Sequence, residues 1–335
     1  MGMMGRTLLA AATLIAATLT AAHAEVDQVR IARQPSLGHL PLMIMEDRKL
    51  LEKNAAARGV PDLKASYATL AGGAAMNDAL LSGAIQFAAG GVPPLVLLWS
   101  KTAGSGNAVK AVTAMNSMPL LLNTTNPDVK SLKDFTPRDK IALPAVKVSI
   151  QAMFLQMAAE KELGEDRRNE LDKLTVTLSH PDGMAALLSR NEVTAHFTAA
   201  PIQELELKQP GVRTVLNSFD VMGGPCTFNV IWATSQFVAQ NPKVYEAFVA
   251  SVEEAVEIIN ADKKAAAATY VRLAKDSSDL ALIEQILNDP QVTFTTTPQN
   301  IQKFVDFMVR TKAIGRGADS WKALFFENAH AKQGS

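Results

Sequence analysis

Val29-Arg30-Ile31-Ala32, followed by Pro35-Ser36-Leu37-Gly38 and a helical pattern, returns as Asp139-Lys140-Ile141-Ala142, followed by Pro144-Ala145-Val146-Lys147-Val148-Ser149 and a second helical pattern. Each copy is closed by a matching unit. Ala79-Leu80-Leu81-Ser82-Gly83-Ala84-Ile85-Gln86-Phe87 ends at Gly90-Gly91-Val92-Pro93, and Ala186-Leu187-Leu188-Ser189 with Val193-Thr194-Ala195-His196-Phe197 ends at Ala199-Ala200-Pro201. Repeated strand–loop–helix units predict a mostly parallel α/β sheet in each copy. Two such lobes imply a cleft between them, and such clefts are where small ligands bind.

Around these units the pattern predicts strands over 29–34, 63–68 and 85–89, a helix over 40–53 with Pro41 in its first turn, and a helix opened by Gly72-Gly73 and running to 81. Runs at 108–114 and 120–124 flank Asn116-Ser117-Met118-Pro119, which reads as a first crossover. A short capped turn follows at 131–135, the second lobe occupies 141–216, and 217–225 carries the chain back. The last third is helical. Asn241-Pro242 supplies a cap and a first-turn proline, and Val244, Phe248, Val252, Val256 and Ile259 recur at helical spacing as a core face. Asp289-Pro290 ends the next helix, Thr297-Pro298 begins another that Gly315 closes, and Trp321, Leu324, Phe325 and Phe326 form a final amphipathic turn. Packing of these helices on the first lobe makes it discontinuous: 25–117 with 224–330, leaving 118–223 as the second lobe.

Arg6, the apolar run 7–20 and Ala22-His23-Ala24 form a secretory leader, with a mature chain expected from Glu25 and a periplasmic location. The run is shorter than the roughly 20 residues a membrane span needs. The chain carries 33 basic and 33 acidic residues, which argues against a nucleic-acid partner. With one cysteine, Cys226, there is no internal disulfide.

Catalytic signals are weak. There is no Gly-x-Ser-x-Gly elbow, His-Glu-x-x-His or Walker-type loop, and His39, His180, His196 and His330 lack metal-ligand spacing, so no metal, cofactor or turnover is expected. What stands out is a set of small-residue loops at helix starts: Ser36-Leu37-Gly38-His39, Leu70-Ala71-Gly72-Gly73-Ala74, Lys147-Val148-Ser149 and His180-Pro181-Asp182-Gly183. Free N–H groups at helix N-termini bind anions without a formal charge, and such loops lie at the carboxyl ends of the strands. Each also has a plain reading. Ser149 and Asp182 serve equally as N-caps and Gly72-Gly73 as a turn. His39 and His196 are either satisfied polar groups near the core or donors to an oxyanion. Asn116 fits a turn, and Gly90-Gly91 a turn or a close backbone approach to a ligand.

In order and spacing, Leu37-Gly38-His39-Leu40-Pro41-Leu42, the segment 79–87 with Gly90-Gly91, and Ser131-Leu132-Lys133-Asp134-Phe135 before Lys140-Ile141-Ala142-Leu143-Pro144 resemble the substrate-binding proteins of nitrate, sulfonate, taurine and thiamine-precursor ABC importers. The resemblance implies a type II periplasmic binding fold, an α/β architecture of two lobes joined by two crossovers and closing by a hinge. It also implies a monomer that delivers a small-molecule ligand to a permease dimer with its ATPases. Carried over by motif, ligand contacts fall at Ser36, Leu37, Gly38, His39, Gly72, Gly73, Gly90, Gly91, Asn116, Val148 and Ser149, with His196, Thr198 and Thr227 as additions. The second-lobe loop has one hydroxyl and Lys147 where sulfonate and taurine binders of this class often carry a Ser/Thr pair. Few aromatics weigh against a ring-stacking pyrimidine site, although Phe197, Phe228 and Trp232 offer a wall for an aromatic acid. A small anion is the expected ligand; an aromatic carboxylate, a pyrimidine precursor, or a pyrimidine-synthase enzyme on the same fold are the alternatives.

Overall fold

A computed structural model describes residues 25–274 and 276–335. The leader expected over 1–24 lies outside the described residues. Twelve strands follow in chain order: β1 Gln28–Arg33, β2 Lys64–Thr69, β3 Phe87–Gly91, β4 Val109–Ala114, β5 Asn116–Ser117, β6 Leu121–Thr124, β7 Ile141–Leu143, β8 Thr175–Thr177, β9 Ala195–Phe197, β10 Arg213–Asn217, β11 Asn229–Thr234 and β12 Thr293–Phe294. They form two five-stranded sheets, β2-β1-β3-β11-β4 and β10-β6-β9-β7-β8, and a small β12-β5 ribbon.

Read from its far edge, the second sheet runs β8-β7-β9-β6-β10, matching the first position by position. In each, three parallel strands come from one stretch of chain. An antiparallel strand then enters from the other side of a crossover, β11 in the first sheet and β6 in the second. The duplication seen in the sequence is thus a duplication of sheets, and the fold is the two-lobe α/β type expected. The crossing segments lie side by side. Ser218 N–H donates to Leu120 O and Leu120 N–H to Ser218 Oγ, each at 2.9 Å, and Phe228 N–H donates to Asn116 O at 3.0 Å. The sequence reading passed over β11, which sits between β3 and β4 and is buried along its whole length.

The core of the first sheet is anchored by Phe87, stacked on Phe248 at 3.6 Å between ring centroids, with Phe237 edge-on at 5.4 Å. Phe248 comes from the helix Pro242–Ala261, whose face of Val244, Phe248, Val252 and Ile259 is fully buried. Several helix ends differ from expectation for local reasons. The helix over 40–53 is two helices, Leu40–Arg48 and Leu50–Ala57, because Lys49 between them takes a left-handed conformation. Asn241 does not cap its helix by side chain. Its amide instead accepts from Val26 N–H and donates to Phe237 O, and the Glu25 carboxylate accepts from Lys243 and Val244 N–H at 3.0 and 2.8 Å. The helix expected from Thr297-Pro298 begins at Ile301 and ends at Arg310, with Ser335 accepting at its start. Ser179, not Asp182, caps the helix His180–Ser189. Among the described residues no helix is long and apolar enough to cross a membrane. Nor does any group of three His, Cys, Asp or Glu among them suit a metal ion.

Candidate functional site

Three helices aim their N-termini at one place. Gly73–Leu81 starts after Gly72, Val92–Thr102 after Gly91, and Ile150–Leu163 after Ser149. The first two belong to the first sheet's side and the third to the second's, because each follows the carboxyl end of a strand or its loop. Where they meet is a cavity of about 10 Å³. Gln34, Gly73, Gly91, Pro94 and Phe228 line it from one side, and Pro144, Ser149, Ile150 and Gln151 from the other. That volume holds about one water molecule. A larger ligand enters only when the lobes part.

The lobes touch through backbone. A Cβ on Gly72 would lie 2.7 Å from Pro144 O, and one on Gly91 would lie 2.9 Å from Ile150 Cβ. Leu37 N–H donates to Ala200 O at 2.8 Å, a further bond between the two sides. Only glycine allows the approach at 72, whose φ of −170° any residue could adopt. The requirement there is for space.

Among the described residues no formally charged side chain lines the cavity. Positive potential comes instead from the three helix ends, whose free N–H groups carry the dipole's positive end. Ser149 Oγ accepts from Ala152 N–H at 3.2 Å, and its own proton stays available to a ligand. Gln151 is 2% exposed and its Nε2 has no partner. Asn229, wholly buried against Gly38, has no partner for either amide atom. Buried polar atoms without partners cost stability, and binding sites are where that cost is tolerated.

The other expected contacts are used within the protein. Burial pushes the His39 imidazole down to about 3, the Ala89 carbonyl opposing and Arg33 adding to the shift. Neutral His39 donates from Nε2 to Ala89 O at 3.3 Å and accepts at Nδ1 from Ser36 Oγ at 3.1 Å, so neither ring nitrogen is offered to a ligand. Asn116 donates to Gly38 O and accepts from Asn229 N–H, tying the crossover to the first loop. His196 pairs through Nδ1 with Glu206 at 2.5 Å inside the second lobe, where Glu206 also accepts from Asn123, while its Nε2, packed against Gly183, has no partner. Thr198 meets His180 Nδ1 at 2.7 Å, and burial pushes that imidazole down to about 3, with His196 and His39 contributing. Thr227 accepts from Gln299 N–H at 2.8 Å. Gly90 packs beside Gln34 and Trp232, and Val148 faces a separate pocket on the flank. Of the candidate aromatic wall, Phe228 lines the cavity, whereas Phe197 and Trp232 are strand residues of the two cores.

Of the residues singled out in the sequence, Gly73, Gly91, Ser149 and Phe228 line the cavity, while Gln34 and Gln151, which also line it, were passed over. The usable signal was polarity out of place. Gln151 stands in the first turn of a helix otherwise buried there, and Gln34, just past the end of β1, is itself buried.

Solved structures with this fold include the alkanesulfonate-binding protein SsuA from Xanthomonas axonopodis pv. citri bound to MOPS (17% identity, TM-score 0.67, covering 88% of this chain and 96% of that one). The periplasmic aliphatic sulphonate-binding protein SsuA from Escherichia coli aligns at 19% identity with a TM-score of 0.64 over 91% and 99% of the two chains. The periplasmic nitrate-binding protein NrtA from Synechocystis PCC 6803 aligns at 15% identity with a TM-score of 0.65 over 90% and 85%. A comparison with curated proteins gives no match. Residues 22–274 match the model of the NMT1-like family, three quarters of the sequence in one continuous stretch that holds both parallel strand sets and the whole cavity, and the chain belongs to that family.

Proposed function

We propose that the chain is an exported solute-binding protein that captures a small anion between its lobes and delivers it to an ABC permease. The observation that carries this is the convergence of three helix N-termini on a cleft lined by amides and a hydroxyl, with no charged side chain. Such a site stabilises negative charge through backbone N–H groups. Hydrogen bonds to a charged partner contribute about 1.5–3 kcal/mol each, so three or four support micromolar affinity after the entropy costs. Similar folds that bind sulfonates and nitrate support the same class of ligand.

Capture proceeds by rotation about the paired crossovers at 115–120 and 217–228, with lobes at 25–117 plus 224–330 and at 118–223. The lobes close on the ligand as far as its size permits. Binding without turnover is expected; among the described residues the cavity lining offers the Ser149 hydroxyl but no carboxylate, imidazole, amine or thiol. The test is a thermal-shift screen of residues 25–335 against sulfonates, nitrate, aromatic carboxylates and pyrimidines. A ligand at ~100 times its Kd adds about 2.7 kcal/mol, which moves Tm by several degrees. Stabilisation by one class of anion is expected. Stabilisation by neutral pyrimidines alone, or chemical conversion of the bound compound, would overturn the reading.

A further inference from the structure

The pocket that Val148 faces on the flank holds about 320 Å³ and shares no lining residue with the cleft. Leu97 and Met308 line it from helices packed on the first sheet's side, and Lys147, Met153 and Asp172 from the second's. Among the described residues its lining carries two charged side chains, Lys147 and Asp172, one of each sign. Burial raises the Asp172 carboxyl, with hydrogen bonding from Gln156 and the nearby Lys147 ammonium opposing. The two charges are thus within electrostatic reach, yet they form no salt bridge, and Lys147 has no other hydrogen-bond or ion-pair partner among the described residues. Asp172 is aimed by Gln156, itself 7% exposed, whose Nε2 donates to the two carboxylate oxygens at 3.1 and 2.9 Å. Each oxygen keeps a lone pair free. Lys147 takes a φ of 63°, where glycine or asparagine is the usual residue, so this side chain is kept against the preference of its backbone.

We propose that this flank pocket is a second ligand site, separate from the cleft, for a free α-amino acid with an apolar side chain. Its ammonium group meets Asp172, its carboxylate meets Lys147, and its side chain lies between Leu97, Met153 and Met308. Both ligand charges are needed. A simple anion would face Asp172 and a simple amine would face Lys147, and in a half-enclosed pocket each leaves one lining charge uncompensated beside a like charge. An amino acid satisfies the two at once, because its charges sit on one carbon and the lining charges stand apart across the pocket. The volume suits a small molecule, and the unbranched thioethers of Met153 and Met308 adapt to the shape of an aliphatic chain. Since the lining comes from both sheets' sides, the occupant binds best to the arrangement in which they meet, and so favours it. None of this requires that the cleft bind an anion.

Calorimetric titration of residues 25–335 with L-methionine and L-leucine tests this, beside analogues that keep one charge each: the N-acetyl amino acids as anions and the amino acid amides as cations. At least one amino acid is expected to bind about tenfold or more tighter than both of its analogues, the loss expected when a hydrogen bond to a charged partner is removed. Asp172→Asn and Lys147→Gly each delete one lining charge. Asparagine keeps the shape of aspartate, and glycine adopts the backbone of residue 147 without steric cost, so both variants should melt cooperatively. Each is expected to weaken the amino acid about tenfold or more. Asp172→Asn should also bring the N-acetyl analogue level with the amino acid, and Lys147→Gly the amide. Failure of both amino acids to bind would overturn the site, as would analogues that bind as tightly as the amino acids. Amino-acid affinity unchanged in both folded variants would place the probe elsewhere and overturn it too. Should either variant fail to fold, the ranking of probes on the parent protein still decides. Each of these outcomes leaves the anion cleft to its own test.

Discussion

Ser149 has two roles that substitution can separate. Its Oγ accepts from Ala152 N–H and so caps the helix Ile150–Leu163, while on the proposed reading its proton is the donor to an anion in the cleft. Ser149→Ala removes both. Loss of the cap costs about 1 kcal/mol of stability. Loss of a donor to a charged ligand costs about 1.5–3 kcal/mol of binding, a ten- to hundredfold weakening. Ser149→Asp divides the roles, because aspartate is as good a cap as serine and favours the positive end of the dipole. Its stability should equal or exceed the parent's. The new carboxylate, however, faces the anion. Two unit charges ~4 Å apart at an effective dielectric of about 20 repel by ~4 kcal/mol, close to a thousandfold in affinity. Ser149→Thr should keep both properties. Denaturant melts and calorimetric titration with the anion found by screening measure the two quantities independently. A Ser149→Asp protein that is stable and still binds the anion with parental affinity would refute the placement of the site at this helix end.

Glu204 supplies a pH test. Burial pushes its carboxyl up to about 7; a hydrogen bond from Gln203 opposes this, and the Glu206 and Asp289 carboxylates add to it. The folded state therefore holds a proton that the unfolded chain releases near 4.5, so stability falls as pH rises from about 4.5 to 7 and stays lower above. Glu204→Gln should match the parent near pH 4 and exceed it at pH 8, by an amount of the order of 3 kcal/mol, in parallel urea melts. Phe87→Ala removes a ring stacked between Phe248 and Phe237 in a fully buried core and should cost about 3–5 kcal/mol, read from the urea midpoint. Gly72→Ala puts a methyl about 0.7 Å inside ordinary contact with Pro144 O. Its radius of gyration without ligand should exceed the parent's in small-angle scattering, and an identical value would mean that the lobes do not meet there in solution.

The fold was legible because its signals are local and repeated. Val29–Ala32 and Lys140–Ala142 carry the same apolar pattern into the same kind of loop, and the structure places them in β1 and β7, the equivalent strands of the two sheets. The helix face built on Val244 and Phe248 was equally plain from its period. What escaped was non-local. Nothing in Asn229-Val230-Ile231-Trp232 announces that it inserts antiparallel between β3 and β4, since strand order is decided by partners far away in sequence. The cap supplied by Glu25 to the helix at Pro242 joins residues more than two hundred positions apart, and a nearby asparagine was the better local guess.

The candidate site was half legible for a related reason. Loops rich in glycine and serine at helix starts suggested anion binding through backbone N–H groups, and the helix ends do converge. Yet the glycines at 72 and 91 also answer a steric need, because each lies where the opposite lobe's Pro144 or Ile150 comes within 3 Å of the space a side chain would fill. One residue type thus meets two demands of a closing cleft: exposed N–H groups for the ligand and clearance for the lobe that covers it. The histidines show the converse. His39 and His196 carry the chemistry most often associated with ligands, but both are wholly buried: both ring nitrogens of His39 are committed, to Ser36 and Ala89, and Nδ1 of His196 is committed to Glu206, its Nε2 being left without a partner inside the second lobe. Residues with a strong chemical signature were used to brace the loops. The group left without a partner at the cleft was the chemically modest amide of Gln151, and on the proposed reading a neutral amide cleft fed by helix dipoles can release an anion when the lobes part.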